Sequence, residues 1–166
     1  RSLGSDNIDY RLRNAEFAKA EGVRYLGTSI ASLSQLQRVL VVGSNLRKDH
    51  PLFAQRIRQA QRNGAQVNVI TSTALFNGTD AWAMPVKQAD VQEAGGWAQS
   101  MANVAAAIAA EKGVTAPANG QATLEAQAIA KSLLGGERKA ILLGNAAAHH
   151  ANASSLLSLA KWIAEN

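Results

Sequence analysis

Two stretches of the chain hold residue types whose spacing can do chemistry. One is Gly43-Ser44-Asn45-Leu46-Arg47-Lys48, running into Asp49-His50-Pro51; the other is Gly144-Asn145, followed by His149-His150. A glycine turn that opens a helix points backbone N–H groups at one spot. Arg47 and Lys48 add positive charge beside it, which suits an anion such as a phosphate. A plain strand-to-helix turn with solvated basic side chains accounts for the same residues. The turn is neither Gly-x-Gly-x-x-Gly nor a Walker loop, so a nicotinamide or nucleoside-triphosphate site has no support. His50, His149 and His150 all come after glycine turns. If the turns are neighbours, three imidazoles approach one crevice, a set suited to a metal or a phosphate. No carboxylate stands at ligand spacing, and a capping His50 with surface His149 and His150 is the plainer reading, so no metal ligand is assigned. The acids are scattered and no Ser/His/Asp set stands out, so no catalytic residue is assigned.

These turns need strands to hold them. Val39-Leu40-Val41-Val42 and Ala140-Ile141-Leu142-Leu143 are short apolar runs that each stop at a glycine. Such runs read as strands buried on both faces of a sheet. Pro51 suits a first helical turn, with Asp49 or His50 as cap, and a helix over 51–63 follows with Phe53, Ile57 and Ala60 inward. Arg56, Arg58 and Arg62 lie off that stripe. Gly64 sits where a left-handed cap is wanted, before a second strand over 65–70. A connection this short makes the two strands parallel neighbours. A third short strand is expected over 81–86, at an edge because of Pro85. Trp97, Met101, Val104 and Ile108 predict a helix over 97–112. Beyond an exposed linker at 113–120, Ala126, Ile129 and Leu133 predict another over 122–134. A last helix starts at Asn152 or Ser154, with Leu156, Ala160 and Ile163 inward. Before the first strand, 1–10 reads as a loose polar arm, 14–24 as a short helix stopped by Gly22, and 30–36 as a helical turn capped by Ser32. Two strands with matching glycine exits flank a crevice at a topological switch point, where ligands of open α/β sheets bind.

The bulk numbers narrow the classes. With 166 residues, 47% hydrophobic and 17% charged, the chain has material for one domain with a core. No apolar run approaches the roughly 20 residues of a membrane-spanning helix, so direct membrane insertion is not expected. The first residues lack the apolar stretch of a signal peptide. Without cysteine, the chain has no disulfide, thiolate metal site or iron–sulfur ligand of its own. The net charge of +5 is uneven: residues 1–62 hold 11 Lys+Arg against 5 Asp+Glu, the rest 6 against 7. A basic front part steers toward nucleic acid, a nucleotide or an acidic neighbour, or simply solubilises the surface. With aromatics at 5% and scattered there is no base-stacking platform, and nucleic acid is not an expected partner.

The run Val39 to Asn45 with Arg47-Lys48-Asp49-His50-Pro51, then Gly64-Ala65-Gln66-Val67, resembles the large iron–sulfur subunit of the NADH-quinone oxidoreductases (respiratory complex I). Asp9-Tyr10-Arg11-Leu12-Arg13 and Ala140 to Asn145 with His149-His150-Ala151-Asn152 resemble other stretches of it. That subunit is similar to the molybdopterin oxidoreductases, formate dehydrogenase among them, in which this α/β domain helps hold a molybdopterin guanine dinucleotide. The resemblance implies a Rossmann-like three-layer domain with a mostly parallel sheet over 38–166, after an N-terminal arm and short helices over 1–37. It makes Gly43, Ser44, Asn45, Arg47, Lys48, Gly144, His149 and His150 vestigial cofactor-binding candidates. In those enzymes the first exit usually reads Gly-x-Asn-Pro, and here Leu46 stands for the proline. Their second strand usually ends Ile-Asp-Pro-Arg, the acid meeting the guanosine; here it is Ile70-Thr71-Ser72-Thr73. Their Pro-Gly-Thr-Asp run is replaced by Val86-Lys87-Gln88-Ala89. The expectation is a domain kept as scaffold after losing its cofactor, with no cofactor in this fragment and iron–sulfur clusters elsewhere in the parent subunit. A chain that opens on Arg1 and stops soon after its last helix reads as an excised central domain. Its implied partners are other domains of the same subunit and neighbouring subunits of the complex. Its implied place is the peripheral arm at the cytoplasmic face of a bacterial inner membrane. The alternative is a nucleotide- or molybdopterin guanine dinucleotide-binding domain of a molybdopterin oxidoreductase.

Overall fold

The computed structural model of the protein describes residues 26–76 and 82–166. The expected arm over 1–10, the segment around Leu12 and the helix over 14–24 lie outside the described residues. Four strands, β1 (Arg38–Val42), β2 (Gln66–Thr71), β3 (Gln88–Val91) and β4 (Lys139–Leu143), form a parallel sheet in the order β3-β2-β1-β4. Register pairs Val42 with Ile70 on one side and with Leu143 on the other. The chain therefore builds outward from β1 through β2 to β3, then returns to lay β4 on the other flank of β1. The two glycine-ended strands are neighbours, as expected.

Side-chain alternation along β1 explains its central place. Val39 and Val41 join Leu33, Val67, Val69, Trp82 and Met84 under α2 (Pro51–Arg62), which contributes Ala54 and Ile57. Leu40 and Val42 point the other way, into a larger cluster built by α3 (Trp97–Lys112), α4 (Leu124–Leu134) and α6 (Ala153–Glu165). Helices on both faces of a parallel sheet make the three-layer Rossmann-like α/β class that the sequence implies. α3 is apolar nearly all round because it is enclosed by the sheet, α4 and α6; nine of its residues are buried, from Trp97 to Ala109. The linker over 113–120 is largely exposed but pinned to α3. Gln99 Nε2 donates to the Asn119 carbonyl at 3.2 Å, and a Cβ at Gly120 would overlap the Ala102 carbonyl.

Arg38 ties the layers together. Its Nε donates to the Ser132 carbonyl at 2.9 Å and its Nη2 to that of Gly135 at 3.3 Å, at the carboxyl end of α4. A cation there complements the helix dipole and satisfies carbonyls that the helix itself leaves unpaired.

Several expectations need correction. The third strand is Gln88–Val91, not 81–86. Trp82 and Met84 are buried because they plug the core below α2, within a turn where Ala83 takes a left-handed φ of 52°. Residue 81 lies outside the described residues. β4 is not buried on both faces: like β3 it is an edge strand, and Ala140 to Leu143 are only half-buried. Ile57 and Ala60 face inward as expected, but Phe53 is only half-buried at the edge of the cluster, and Ala54 takes the buried position beside it. Ser32 is not a cap. It lies inside a 3₁₀ turn, Ala31–Gln35, and its Oγ donates back to the Ser29 carbonyl.

Candidate functional site at the two glycine exits

Both exits lie at the carboxyl ends of adjacent strands, and each continues into a single helical turn: α1 (Leu46–Asp49) after β1 and α5 (Asn145–Ala148) after β4. Gly43 leaves β1 with φ 58°, a conformation open to glycine and strained for other residues. That turn lets the Gly43 carbonyl face β4's exit, where it accepts from Ala146 N at 3.1 Å and Ala147 N at 3.3 Å. Gly144 N in turn donates to the Val42 carbonyl at 2.8 Å. The amides of Ala146 and Ala147, the second and third residues of α5, are thus bonded to the neighbouring exit.

The first exit is satisfied internally in the same way. Asp49 folds back so that its Oδ2 accepts from Ser44 Oγ at 2.7 Å and from Asn45 N at 3.1 Å. Asn45 caps α1, accepting from Lys48 N at 3.3 Å, and anchors the 72–76 loop by donating to the Leu75 carbonyl at 3.1 Å. The carboxylate stands where a bound anion would meet the Ser44 hydroxyl and the Asn45 amide. Arg47 and Lys48 are exposed and project to solvent.

The crevice between the exits is filled. A Cβ at Gly144 would overlap the Ser44 side chain and lie 2.8 Å from the Gly43 carbonyl oxygen. A Cβ at Gly43 would lie 2.6 Å from the Trp97 ring and 2.8 Å from Ala147 N. Trp97 is 1% exposed, Ser44 0% and Asn45 5%.

The three imidazoles do not converge, correcting the picture of one shared crevice. His50 stacks on Phe53, ring centroids 5.4 Å apart, on the α2 side of the sheet. His150 tilts against Trp97 at 5.7 Å on the opposite side, its Nδ1 accepting from Asn152 N at 3.0 Å. His149 is exposed. His50 occupies the position before α2 but makes no side-chain cap; Asn45 is the residue that caps. Among the described residues no group of three His, Asp or Glu side chains is placed to hold a metal ion. From sequence alone Asp49 reads as a helix cap and Trp97 as a core residue. Both shape this site, and the one available signal is an acid closing a basic turn.

A parallel α/β sheet whose switch point falls between two glycine exits defines a Rossmann-like domain, here with the exits in contact. The molybdopterin oxidoreductase family model matches residues 1–166, the whole chain, and the protein belongs to that family. No curated protein matches it significantly.

The family implies a pterin cofactor, and the residues at the exits do not fit one. The Asn45 amide, the Ser44 hydroxyl and the Ala146 and Ala147 amides are already bonded within the chain, and no space separates Ser44 from Gly144. Among the described residues four buried polar atoms have no partner: Asn68 Oδ1, Thr71 Oγ1, Trp82 Nε1 and Trp97 Nε1. They are divided between the two faces of the sheet and sealed beneath the surface rather than turned into a shared opening. A depression of about 590 Å³ does exist, but at the amino ends of the strands, beside Gln37, Arg38, Asn63 and Arg138.

Proposed function

We propose that this chain is a structural, non-catalytic domain of an NADH-quinone oxidoreductase, from its large iron–sulfur subunit. The complex as a whole passes electrons from NADH to quinone; this domain packs against other domains of its subunit and against neighbouring subunits in the peripheral arm. Iron–sulfur clusters belong to other parts of the parent, and no residue here carries the redox step. The observation that carries this reading is the closure of the exits, with Ser44 against Gly144 and Asp49 in the place of an anion. The Thr71-Ser72-Thr73 end of β2, without an acid for a guanosine, supports it as well.

Calorimetry with guanosine nucleotides and with a pterin tests it. The expected result is no heat of binding at millimolar ligand, and no pterin released from the purified parent subunit at this domain. The second reading is a domain that binds molybdopterin guanine dinucleotide, favoured by family membership and by the switch point between β1 and β4. Micromolar binding abolished by Arg47→Ala with Lys48→Ala would replace the first reading with this one.

A further inference from the structure

The outer face of α2 differs from every other long helix of the described residues. α3, α4 and α6 each carry at least one acid and one lysine. α2 carries Arg56, Arg58 and Arg62 and no acid, and all three are exposed with no ion-pair partner among the described residues. Arg58 and Arg62 stand one turn apart, where like charges disfavour an isolated helix. Nothing in the fold of the described residues requires that pattern. The inner face of α2, with Ala54, Ile57 and Ala60, is already packed on the sheet and cannot enter a lipid surface.

We infer that the α2 outer face docks an acidic protein surface that presents an apolar cleft. The charge complement calls for carboxylates, and arginine is the cation suited to bidentate carboxylate pairing at interfaces. Leu52, 62% exposed, sits on the same face, with Gln55 and Gln59 between it and Arg62. A leucine among arginines and amides matches a protein partner with a small pocket. Phosphate backbones offer nothing to Leu52, and the one aromatic side chain of α2, Phe53, is half-buried and already stacked with His50. The inference stands apart from the assignment to a particular complex: pterin binding at the exits would leave it untouched, and its failure would leave the scaffold reading in place.

The test is fluorescence anisotropy of the 166-residue chain with a labelled glutamate-rich peptide carrying one leucine per helical turn, beside duplex DNA and phosphatidylserine vesicles. The expected result is saturable peptide binding that weakens with salt, falls at least about tenfold in R56E/R58E/R62E and falls severalfold in Leu52→Ser. Lys131→Glu, on α4 in the opposite layer, should bind as the unsubstituted chain does. All substituted positions are exposed, and circular dichroism of each variant is the check that it folds. No peptide binding, binding unchanged by the triple reversal, or tighter binding to DNA or vesicles would overturn the inference. So would a concentration-dependent dimer that the triple reversal dissolves, which would assign the face to a second copy of the chain.

Discussion

Ser44 Oγ donates to Asp49 Oδ2 at 2.7 Å, and this contact decides what the first glycine turn can hold. The acid comes from the last position of α1, directly after the two cations that make the turn resemble an anion site. Asp49→Ala leaves the fully buried Ser44 hydroxyl without its acceptor and releases the Asn45 amide. The expected cost is about 1–3 kcal/mol, read as a lower urea midpoint. The double variant Ser44→Ala/Asp49→Ala should lose less than the two single effects combined, because the pair is one interaction.

Gly144→Ala and Gly43→Ala should each destabilise by about 2–3 kcal/mol or more, since the added methyl meets backbone as well as side chain. Gly43→Ala is expected to be the worse, because its φ of 58° adds backbone strain. Gly95→Ala, with nothing within 4 Å of its added methyl, is the control and should shift the urea midpoint little.

Arg38→Met removes three side-chain bonds to carbonyls, those of Ser132, Gly135 and Gln37, at 2.9, 3.3 and 2.8 Å. A loss of about 2 kcal/mol is expected, with Arg38→Lys recovering only part of it because a single ammonium cannot reach all three. Native-state hydrogen exchange should show faster exchange at the carboxyl end of α4 in the methionine variant.

Asn68 lies fully buried on β2, donating to Ser132 Oγ at 3.0 Å while its Oδ1 has no partner. Ser132 keeps its own acceptor, Gln66 Oε1 at 2.8 Å. Asn68→Leu keeps the amide's branched shape and removes that unpaired carbonyl, while its bulkier methyls crowd the site, so it should stay within about 1 kcal/mol of neutral. A drop in the thermal midpoint of several degrees would contradict this.

Much of the fold is legible in the sequence because apolar periodicity reports burial directly. The α3 stripe of Trp97, Met101, Val104 and Ile108 marks the helix at its observed ends, and the two glycine-ended runs mark adjacent parallel strands. β3 is not legible. Gln88-Ala89-Asp90-Val91 is an edge strand with one neighbour and little cover, so its residues carry no hydrophobic signal, whereas the nearby Trp82 and Met84 carry one while forming a turn. An apolar run also cannot report how many neighbours a strand has, which is why β4 reads as interior. At the site, each glycine is readable as a turn. Their mutual contact is not, because Ser44 and Gly144 meet only after β4 returns to β1's flank.

The seam between the exits is held by Ser44, Trp97 and Ala147, which arrive from three separate segments of the chain. Trimming any one of them hollows out the core before it makes a usable cleft. Opening a cleft here would take several substitutions made together, each harmful on its own. A domain built this way keeps this seam fixed, and its freedom to vary lies on its outer surfaces.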